Sequence, residues 1–253
     1  MTKNFLVDNL KVYESDSAEE MGEKAASFIA DEMKKVYQQK GAIRMMFAAA
    51  PSQNTTLQHL LEMSDLPWES VEAFHMDEYI GIQESAPQSF RNYLKTAIFS
   101  KVPIGKVNYI PAERDDSQTV AKEYGEMLDR EPMDIIILGV GENGHIAFND
   151  PPFSSFSEPE TVKIIQLAET SRIQQVHDGC FENLDLVPKG ALTVTIPTFC
   201  KASSLFCVVP NNRKAEAIRK TLKDPVSENC PASILRTHKN SYLFIDKESA
   251  SLL

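Results

Sequence analysis

The sequence predicts an α/β protein with an open, mostly parallel, doubly wound (Rossmann-like) sheet and helices on both faces. Two observations predict this fold. Short apolar runs typical of buried strands alternate with amphipathic stretches, and polar or glycine-containing loops follow several of the runs. The chain has 253 residues, 42% of them hydrophobic, and shows no linker, repeat or low-complexity tract. We therefore expect a single α/β domain over residues 1–253.

The first half of the chain repeats the alternation three times. Each repeat pairs an apolar run with a stretch of helical periodicity, and a polar segment or a turn through Gly81 separates them. We predict strands over residues 42–50, 71–75 and 134–138, and helices over residues 18–38, 88–99 and 117–128.

The second half is richer in apolar runs. We predict strands over residues 161–167, 191–196, 204–209 and 241–245, and a helix over residues 213–222. In open α/β sheets, ligands bind at the carboxyl ends of the strands. The loops that follow predicted strands are therefore candidates for one shared site, namely residues 51–56, 75–81, 139–150 and 210–214.

Composition excludes several function classes. The formal net charge is −10, which disfavours broad attraction to nucleic acid or to anionic lipid. The four cysteines form no C-x-x-C pair, so neither a zinc knuckle nor a redox motif is predicted. No apolar stretch has the roughly 18 residues of a membrane span, and the start of the chain lacks the apolar core of a signal peptide. We expect a cytoplasmic protein with buried thiols, no membrane partner and no nucleic-acid partner.

A glycine-rich segment follows the apolar run at residues 135–138. It contains Gly139, Gly141 and Gly144, and such spacing at a strand end first suggests a dinucleotide site. The acidic residue expected about 20 positions later is not clearly placed, and His145 follows the third glycine. Beside Asn143 and Asp150, this histidine can move a proton near neutral pH, or it can simply tie the loop down by hydrogen bonds.

A carboxylate pair, Asp77 and Glu78, follows the predicted strand at residues 71–75. Adjacent side chains on an extended segment point apart, so one can face a cleft as a base while the other makes structural contacts. Partial burial would raise the pKa of the base toward useful values. In isolation, such a pair more often belongs to a solvated loop or a helix cap.

Together, the two segments resemble the glucosamine-6-phosphate deaminase family. That family is marked by a Met-Asp-Glu-Tyr-x-Gly stretch and by a Gly-x-Gly-x-x-Gly-His-Ile-x-Phe-Asn-Glu-Pro loop, which stand here at residues 76–81 and 139–151. The resemblance continues in the same order through residues 87–91, 170–172, 187–194, 214–217 and 231–238. It spans nearly the whole chain and therefore implies a single sugar-phosphate isomerase domain.

The resemblance implies an aldose to ketose isomerisation coupled to deamination, without metal or cofactor. Asp77 would be the base that moves a proton between C2 and C1 of the sugar, and His145 would assist ring opening with support from Asn143 and Asp150. The ligand would be a small sugar phosphate, with Lys214 at its phosphate. The residues predicted to bind it are Ser52, Asn54, Thr55, Glu78, Gly141, Lys163 and Lys214, with His177 as a substitute for a family cation.

Several positions depart from the family pattern. The loop at residues 51–56 lacks the family glycine, and so does the loop at residues 210–215, although Lys214 is kept and Arg213 adds a second cation. Asn143 and Asp150 stand where the family has mostly Asp and Glu. Because most changes fall at the phosphate end, the expected substrate is glucosamine 6-phosphate or a close analogue. The galacto isomer, a sugar acid and an unphosphorylated sugar stay open as hypotheses.

Two alternatives come from different classes. 6-Phosphogluconolactonase resembles the same loop but usually continues Gly-His-Thr-Ala-Ser, and it tends to have Arg where Tyr79 stands. A non-catalytic sugar-phosphate sensor would keep the fold and lose turnover, although binding does not require a base such as Asp77. The resembled family includes monomers and oligomers, so assembly into a homo-oligomer stays open.

Overall fold

The computed structural model describes residues 3–151 and 153–253. Its strands are β1 (Lys3–Val7), β2 (Leu10–Ser15), β3 (Ile43–Phe47), β4 (Val71–His75), β5 (Asp77–Tyr79), β6 (Lys106–Asn108), β7 (Ile135–Leu138), β8 (Val162–Gln166), β9 (Gly190–Val194), β10 (Ser204–Val209) and β11 (Ser241–Asp246). Its α-helices are α1 (Ala18–Lys40), α2 (Asn54–Glu62), α3 (Phe90–Leu94), α4 (Ser117–Leu128), α5 (Glu169–His177), α6 (Ile196–Cys200) and α7 (Ala215–Lys223). Short 3₁₀ turns lie at Pro51–Gln53, Trp68–Ser70, Leu184–Leu186, Asn212–Lys214 and Pro231–Thr237, and Lys95–Phe99 is π-helical.

The main sheet has the strand order β1-β2-β11-β10-β7-β3-β4-β6. Strand β1 pairs antiparallel with β2, and the other neighbours are parallel. After β3 the chain adds β4 on one side, whereas after β7 it adds β10 on the other. The carboxyl ends of β3 and β7 therefore form a topological switch point, where open α/β sheets leave a crevice for ligands.

Helices cover both faces of this sheet, which confirms the predicted doubly wound fold. Residues of β7 alternate between two cores: Ile135 and Ile137 pack with residues of α1 and α2, whereas Ile136 and Leu138 pack with residues of α4 and α7. The alternation follows from the two-residue period of a strand. Since both of its faces are buried, β7 is a continuous apolar run.

Helix α1 begins and ends at local sequence signals. Ser17 precedes it, and its hydroxyl accepts a hydrogen bond from the Glu20 N–H at 3.2 Å. Gly41 ends it with φ +71°, a left-handed conformation that glycine adopts without strain. These signals explain why the predicted helix at residues 18–38 is observed with only small shifts in its boundaries.

A second, three-stranded sheet was not predicted. Its order is β5-β9-β8, and both pairings are antiparallel. The strands predicted at residues 161–167 and 191–196 exist as β8 and β9, but they pair here rather than in the main sheet. Strand β5 follows β4 after a single residue, Met76, so the chain passes from one sheet to the other there. Apolar periodicity identifies a strand but not its partner.

Other short elements also escaped prediction. These are the hairpin β1–β2, strand β6 and helices α5 and α6, which are short or polar. The helix predicted at residues 88–99 is split into α3 and a π-helical turn, a local distortion frequent at functional sites. Within residues 3–151 and 153–253, no helix is long and apolar enough to cross a membrane.

Candidate active site

A cavity of about 250 Å³ opens at the switch point. Residues from all four predicted loops line it, which places the loops after β3, β4, β7 and β10 around one space. Helix α5, which the sequence did not predict, lines a further side. The residues that line the cavity include Ser52, Asp77, Gly141, His145, Gln174, Gln175, His177, Arg213 and Lys214.

Asp77 is the first residue of β5 and its carboxylate faces the cavity. The residue is only 7% exposed, and its carboxylate accepts no hydrogen bond from the part of the chain that the structure describes. Burial raises the pKa of Asp77 well above its ordinary value, and the neighbouring Glu78 carboxylate adds to the rise. A buried carboxylate with a raised pKa and no protein partner is suited to accept a proton from a ligand.

Glu78 points the other way and is fully buried. Its carboxylate accepts hydrogen bonds from the N–H groups of Phe90 and Arg91 at 3.1 and 3.0 Å, at the start of α3. It also accepts one from the Ser89 hydroxyl at 2.9 Å. Burial raises the pKa of Glu78, and these hydrogen bonds oppose the rise. Glu78 therefore holds the start of α3 and does not line the cavity, although the sequence predicted it to bind the ligand.

His145 is held from one side by a polar cluster. Its Nδ1 lies 2.7 Å from Asn143 Oδ1, 3.0 Å from Asp150 Oδ1 and 3.1 Å from Ser171 Oγ. Its Nε2 has no partner among the described residues. Burial would raise the pKa of Asp150, but hydrogen bonds from His145, Asn143 and Ser171 hold it below its ordinary value. An ionised Asp150 favours a proton on Nδ1, which leaves Nε2 free to accept one.

Gly141 provides the space for the His145 ring. A Cβ on Gly141 would lie 2.1 to 2.3 Å from three ring atoms, far inside van der Waals contact. Gly144, in the same turn, has φ +89°, and a Cβ there would meet Cys230 Sγ at 2.8 Å. The glycine spacing thus serves the placement of a histidine rather than of a dinucleotide.

The turn after β10 brings two basic residues, Arg213 and Lys214, to the cavity wall. Lys214 is only 4% exposed, and its Nζ has no hydrogen-bond or ion-pair partner among the described residues. Burial lowers the pKa of Lys214, an effect that the carboxylates of Asp178 and Glu142 partly oppose. Arg213, on the same turn, lies 3.5 Å from Asp178 and donates to the His177 carbonyl at 3.0 Å. An anionic ligand group would supply the partner that Lys214 lacks.

The two loops that lack the family glycine differ in backbone geometry. Asn211 keeps a glycine-like conformation, with φ +71° and ψ 157°, and its N–H donates to the Asp246 carboxylate at 3.1 Å. Gln53 has φ −90° and needs no glycine. Its fully buried side chain donates to the Val208 carbonyl at 3.2 Å and so joins this loop to β10.

Besides Glu78, three more residues predicted to bind the ligand do not line the cavity. Asn54 is exposed and accepts a hydrogen bond from the Tyr93 hydroxyl. Thr55 faces α1, where its side chain lies against Gly22. Lys163 donates to Glu158 at 2.8 Å and to the Phe153 carbonyl at 3.1 Å. Each of the three contacts another part of the protein instead of the cavity, so none belongs to the proposed ligand site.

Helix α5 adds residues that the sequence did not predict, both behind His145 and at the cavity wall. Ser171 donates to Asp150 and contacts His145. Gln174 accepts a hydrogen bond from the Glu142 N–H at 2.9 Å. Gln175 is 8% exposed and lines the cavity beside Gln174. Residues 170–172 belong to the resemblance, which was the one available signal; the polar composition of α5 hid the rest.

Known proteins are similar to this chain in sequence. Residues 16–244 match the family model of glucosamine-6-phosphate isomerases/6-phosphogluconolactonase. A glucosamine-6-phosphate deaminase of Listeria monocytogenes serotype 4b (strain CLIP80459) is 34% identical over 216 residues, covering 84% of this chain and 89% of the relative. The enzyme of the same name from Staphylococcus epidermidis (strain ATCC 12228 / FDA PCI 1200) is 31% identical over 233 residues, covering 89% and 94%.

Solved structures show the same fold. A monomeric glucosamine-6-phosphate deaminase superimposes with a TM-score of 0.89 at 29% identity, covering 96% of this chain and 99% of the other. A 6-phosphogluconolactonase from Thermotoga maritima superimposes with a TM-score of 0.74 at 19% identity, covering 94% and 99%. The second similarity concerns the fold alone.

Proposed function

The chain belongs to the glucosamine-6-phosphate isomerase/6-phosphogluconolactonase family, and we propose that it converts glucosamine 6-phosphate and water into fructose 6-phosphate and ammonia. One observation supports this most: a single cavity contains the carboxylate of Asp77, the histidine His145 and the ammonium of Lys214, and among the described residues neither charged group has a hydrogen-bond partner. A base, a proton carrier and an anion-binding cation are the groups that this reaction needs.

Asp77 is the proposed base. In the ring-opened amino aldehyde, the proton on C2 is acidic because it is α to the C1 carbonyl. Asp77 removes it to form an enolamine and returns it to C1, which leaves an imine at C2. Water adds to the imine carbon and ammonia leaves, so that the product is the C2 ketone. Burial of Asp77 keeps it a strong enough base for the first step.

His145 is the proposed proton carrier for ring opening. Opening needs a proton removed from the C1 hydroxyl and a proton delivered to the ring oxygen. The Nδ1 of His145 contacts Asn143 and Asp150, so Nε2 is the nitrogen that exchanges a proton with the sugar. Gly141 keeps the ring in place from the other side.

The phosphate is proposed to bind beside the turn after β10, where Arg213 and Lys214 line the cavity. Lys214 supplies a buried ammonium, Arg213 a guanidinium, and Ser52 a hydroxyl from the turn after β3. His177 also lines the cavity, but its Nδ1 lies 3.5 Å from the Glu142 carboxylate. A phosphate held by an ammonium, a guanidinium and a hydroxyl has charge-assisted hydrogen bonds on several oxygens.

Local packing favours the deaminase over the lactonase. Tyr79 is fully buried, and its ring contacts Phe90, Phe148 and Phe181 with centroid distances of 4.7, 5.7 and 5.5 Å. An Arg at position 79, typical of lactonases, would place a charge inside this aromatic cluster. Phe148 belongs to the Gly-His-Ile-Ala-Phe-Asn continuation and helps to build the same cluster.

We also propose that the enzyme works in the cytoplasm. All four cysteines, Cys180, Cys200, Cys207 and Cys230, are free thiols. Burial raises the pKa of each, most strongly for Cys207, so they resist deprotonation. Unreactive, unpaired thiols are typical of proteins in a reducing compartment.

The test is a substrate panel with purified protein. Ammonia and fructose 6-phosphate are measured with glucosamine 6-phosphate, with galactosamine 6-phosphate alongside, and hydrolysis of 6-phosphogluconolactone is measured in parallel. We expect release of ammonia and ketose in equal amounts from the glucosamine substrate, and a loss of about 10²- to 10⁴-fold in kcat in Asp77→Asn.

Three other results of these assays would change the proposal. Lactone hydrolysis without ammonia release would replace the proposal by the lactonase. Binding of sugar phosphates without turnover would indicate a sensor. Turnover unchanged in a folded Asp77→Asn variant would remove Asp77 from the mechanism.

A further inference from the structure

We propose that His75 is a positioning residue for Asp77: its imidazole ties the carbonyl group of Asp77 to the edge of the main sheet and so sets the direction of the Asp77 carboxylate. The proposal rests on the proposed function in taking Asp77 as the base. His75 lies two residues before Asp77, is 1% exposed, and does not line the cavity. It therefore acts through Asp77 and not on the ligand.

The hydrogen bonds determine the tautomer of His75. Its Nε2 lies 2.9 Å from the backbone N of Ile110, and because an N–H can only donate, Nε2 must be the acceptor. The proton of the neutral ring is then on Nδ1, which lies 2.9 Å from the Asp77 carbonyl oxygen and donates to it. Burial lowers the pKa of His75 to about 3, so this neutral form persists at working pH.

Asp77 needs this partner because of its place in the small sheet. Strand β5 is an edge strand whose only neighbour in that sheet, as far as the structure describes the chain, is β9. The Val194 N–H donates to the Met76 carbonyl at 2.8 Å, and the Ile80 N–H donates to the Gly190 carbonyl at 3.1 Å. In an antiparallel ladder, hydrogen-bonded positions alternate, so the Asp77 carbonyl points away from β9. His75 fills the partner role that a further strand would have.

His75 thereby joins the edges of two sheets. Ile110 follows β6, the edge strand of the main sheet, while Asp77 begins β5, the edge strand of the small one. The backbone of His75 is itself fixed by Tyr124, whose hydroxyl donates to the His75 carbonyl at 2.9 Å and accepts from its N–H at 3.1 Å. The Asp77 carboxylate has no hydrogen bond from the described residues, so its direction depends on this backbone anchor.

The test compares three variants with the wild type. His75→Phe keeps a ring and removes both hydrogen bonds. His75→Asn keeps an N–H donor for the Asp77 carbonyl at the last residue of β4, and so keeps the tie to the main sheet. His238→Phe is the matched control, because His238 also bridges two backbone groups, the Ala202 carbonyl at 2.9 Å and the Asn240 N–H at 3.1 Å. His238 lies at the amino ends of β10 and β11, away from the cavity.

We expect His75→Phe to lower kcat by about ten- to a hundredfold with little change in KM, since a misplaced base slows the chemical step. His75→Asn should recover most of kcat, and His238→Phe should lose stability with kcat unchanged. A folded His75→Phe with wild-type kcat would overturn the proposal. Equal kcat losses in His75→Phe and His238→Phe would also overturn it, because the loss would then reflect general destabilisation.

A second readout separates this proposal from the proposed function. If the wild type fails to turn over glucosamine 6-phosphate, the proposed reaction is wrong, and ¹³C NMR titration of the Asp77 carboxyl still tests the anchor. A lower Asp77 pKa in His75→Phe than in the wild type, restored in His75→Asn, supports it because a loosened Asp77 gains water. An Asp77 pKa that is identical in wild type and His75→Phe overturns it. Should His75→Phe not fold, the pKa of Asp77 is compared between His75→Gln and His75→Asn by the same titration. A lower Asp77 pKa in His75→Gln supports the anchor, and an equal Asp77 pKa in the two variants overturns it.

Discussion

At the scale of single residues, the site is distinguished by buried charges without protein partners. Asp77 and Lys214 are both nearly fully buried, and neither charged group has a hydrogen bond from the described residues. Glu78, by contrast, is buried and satisfied, because it accepts hydrogen bonds from four donors. An unpaired buried charge reduces the free energy of unfolding, so its presence at a cavity indicates a group kept for a ligand.

Asp77 makes stability depend on pH in a direction opposite to that of a paired carboxylate. Its folded pKa is raised, so the folded state holds a proton that the unfolded state releases, and stability falls as pH rises above the ordinary range of Asp, about 4. Asn cannot ionise, so the Asp77→Asn variant does not lose stability in this way as pH rises. We expect its Tm to exceed that of the wild type by an amount that grows from pH 4 toward neutral.

The matched control is Asp65→Asn. Asp65 is exposed, and a hydrogen bond from Lys34 lowers its pKa, so its stabilising effect is present at neutral pH and lost as pH falls. The Asn variant there should show no gain at neutral pH. Differential scanning calorimetry at several pH values measures both. A neutral-pH Tm of Asp77→Asn at or below that of the wild type would contradict the assignment of a raised pKa.

Gly141 is predicted to be required for full activity. In Gly141→Ala the new methyl group would occupy the space of the His145 ring, so the ring must move and its Nε2 leaves the position for proton transfer. We expect kcat to fall by about a hundredfold, in the range that one general acid–base group contributes. Gly125→Ala is the control, since a Cβ there would meet its nearest neighbour at 3.6 Å, and it should leave kcat unchanged.

At the scale of elements, turns after parallel strands determine what the cavity contains. The turn after β10 has the least usual backbone, because Asn211 adopts φ +71° and ψ 157°, a region that only glycine enters without strain. The strained residue directly precedes the turn with Arg213 and Lys214. Hydrogen bonds from the Asn211 N–H to Asp246 hold it there.

Asn211→Gly should therefore stabilise the protein. Release of the backbone strain is worth about 1 kcal/mol, while loss of the hydrogen bond from the Arg213 N–H to the Asn211 side chain costs a few tenths of a kcal/mol. The net gain is thus somewhat under 1 kcal/mol, and for a protein of this size the expected rise in Tm is about 1 to 3 °C. Asn212→Gly, with no such strain, should lower Tm or leave it unchanged. A fall in Tm for Asn211→Gly would show that the Asn side chain contributes more than its strain costs.

At the scale of the whole molecule, an acidic protein binds an anion through local geometry. The net charge is −10, yet the turn after β10 and the turn after β3 bring Lys214, Arg213 and Ser52 to the same cavity at the switch point. The sheet order produces this meeting, since the carboxyl ends of β3, β7 and β10 are neighbours. Two elements far apart in sequence thus form one candidate anion site.

Lys214→Met should separate ligand binding from folding. Burial lowers the folded pKa of Lys214, so the charged form reduces stability below that pKa, and Met should raise the Tm of the ligand-free protein. Fructose 6-phosphate should raise the wild-type Tm, since a ligand at 100 times its Kd adds about 2.7 kcal/mol. We expect this ligand-induced rise to be largely lost in Lys214→Met.

Thermal shift with and without fructose 6-phosphate measures both effects. Lys122→Met is the control, because the Lys122 side chain is 78% exposed, and it should keep the ligand-induced shift. If fructose 6-phosphate raised the Tm of Lys214→Met as much as that of the wild type, the phosphate would bind elsewhere.

Much of the fold was predictable because its signals are local. The apolar runs of β3, β4, β7 and β10 and the periodicity of α1 and α4 depend on residues close in sequence, and their predicted bounds differ from the observed ones by few residues. The predicted strand ends likewise indicated which four loops line the cavity. Short or polar elements such as β5 and α5 have no comparable local signal, so they were missed.

The roles of individual side chains depend instead on contacts between distant residues. Local pattern placed Asp77 and Glu78 at a strand end and required only that they point apart; the start of α3 decides that Glu78 is the structural partner. Likewise, Lys163 and Lys214 are equally basic in sequence, but Glu158 pairs with Lys163, whereas Lys214 has no such partner among the described residues and lines the cavity. Composition and periodicity follow from the chain's own spacing, while strand pairing, burial and hydrogen-bond partners are set when segments far apart in sequence pack together.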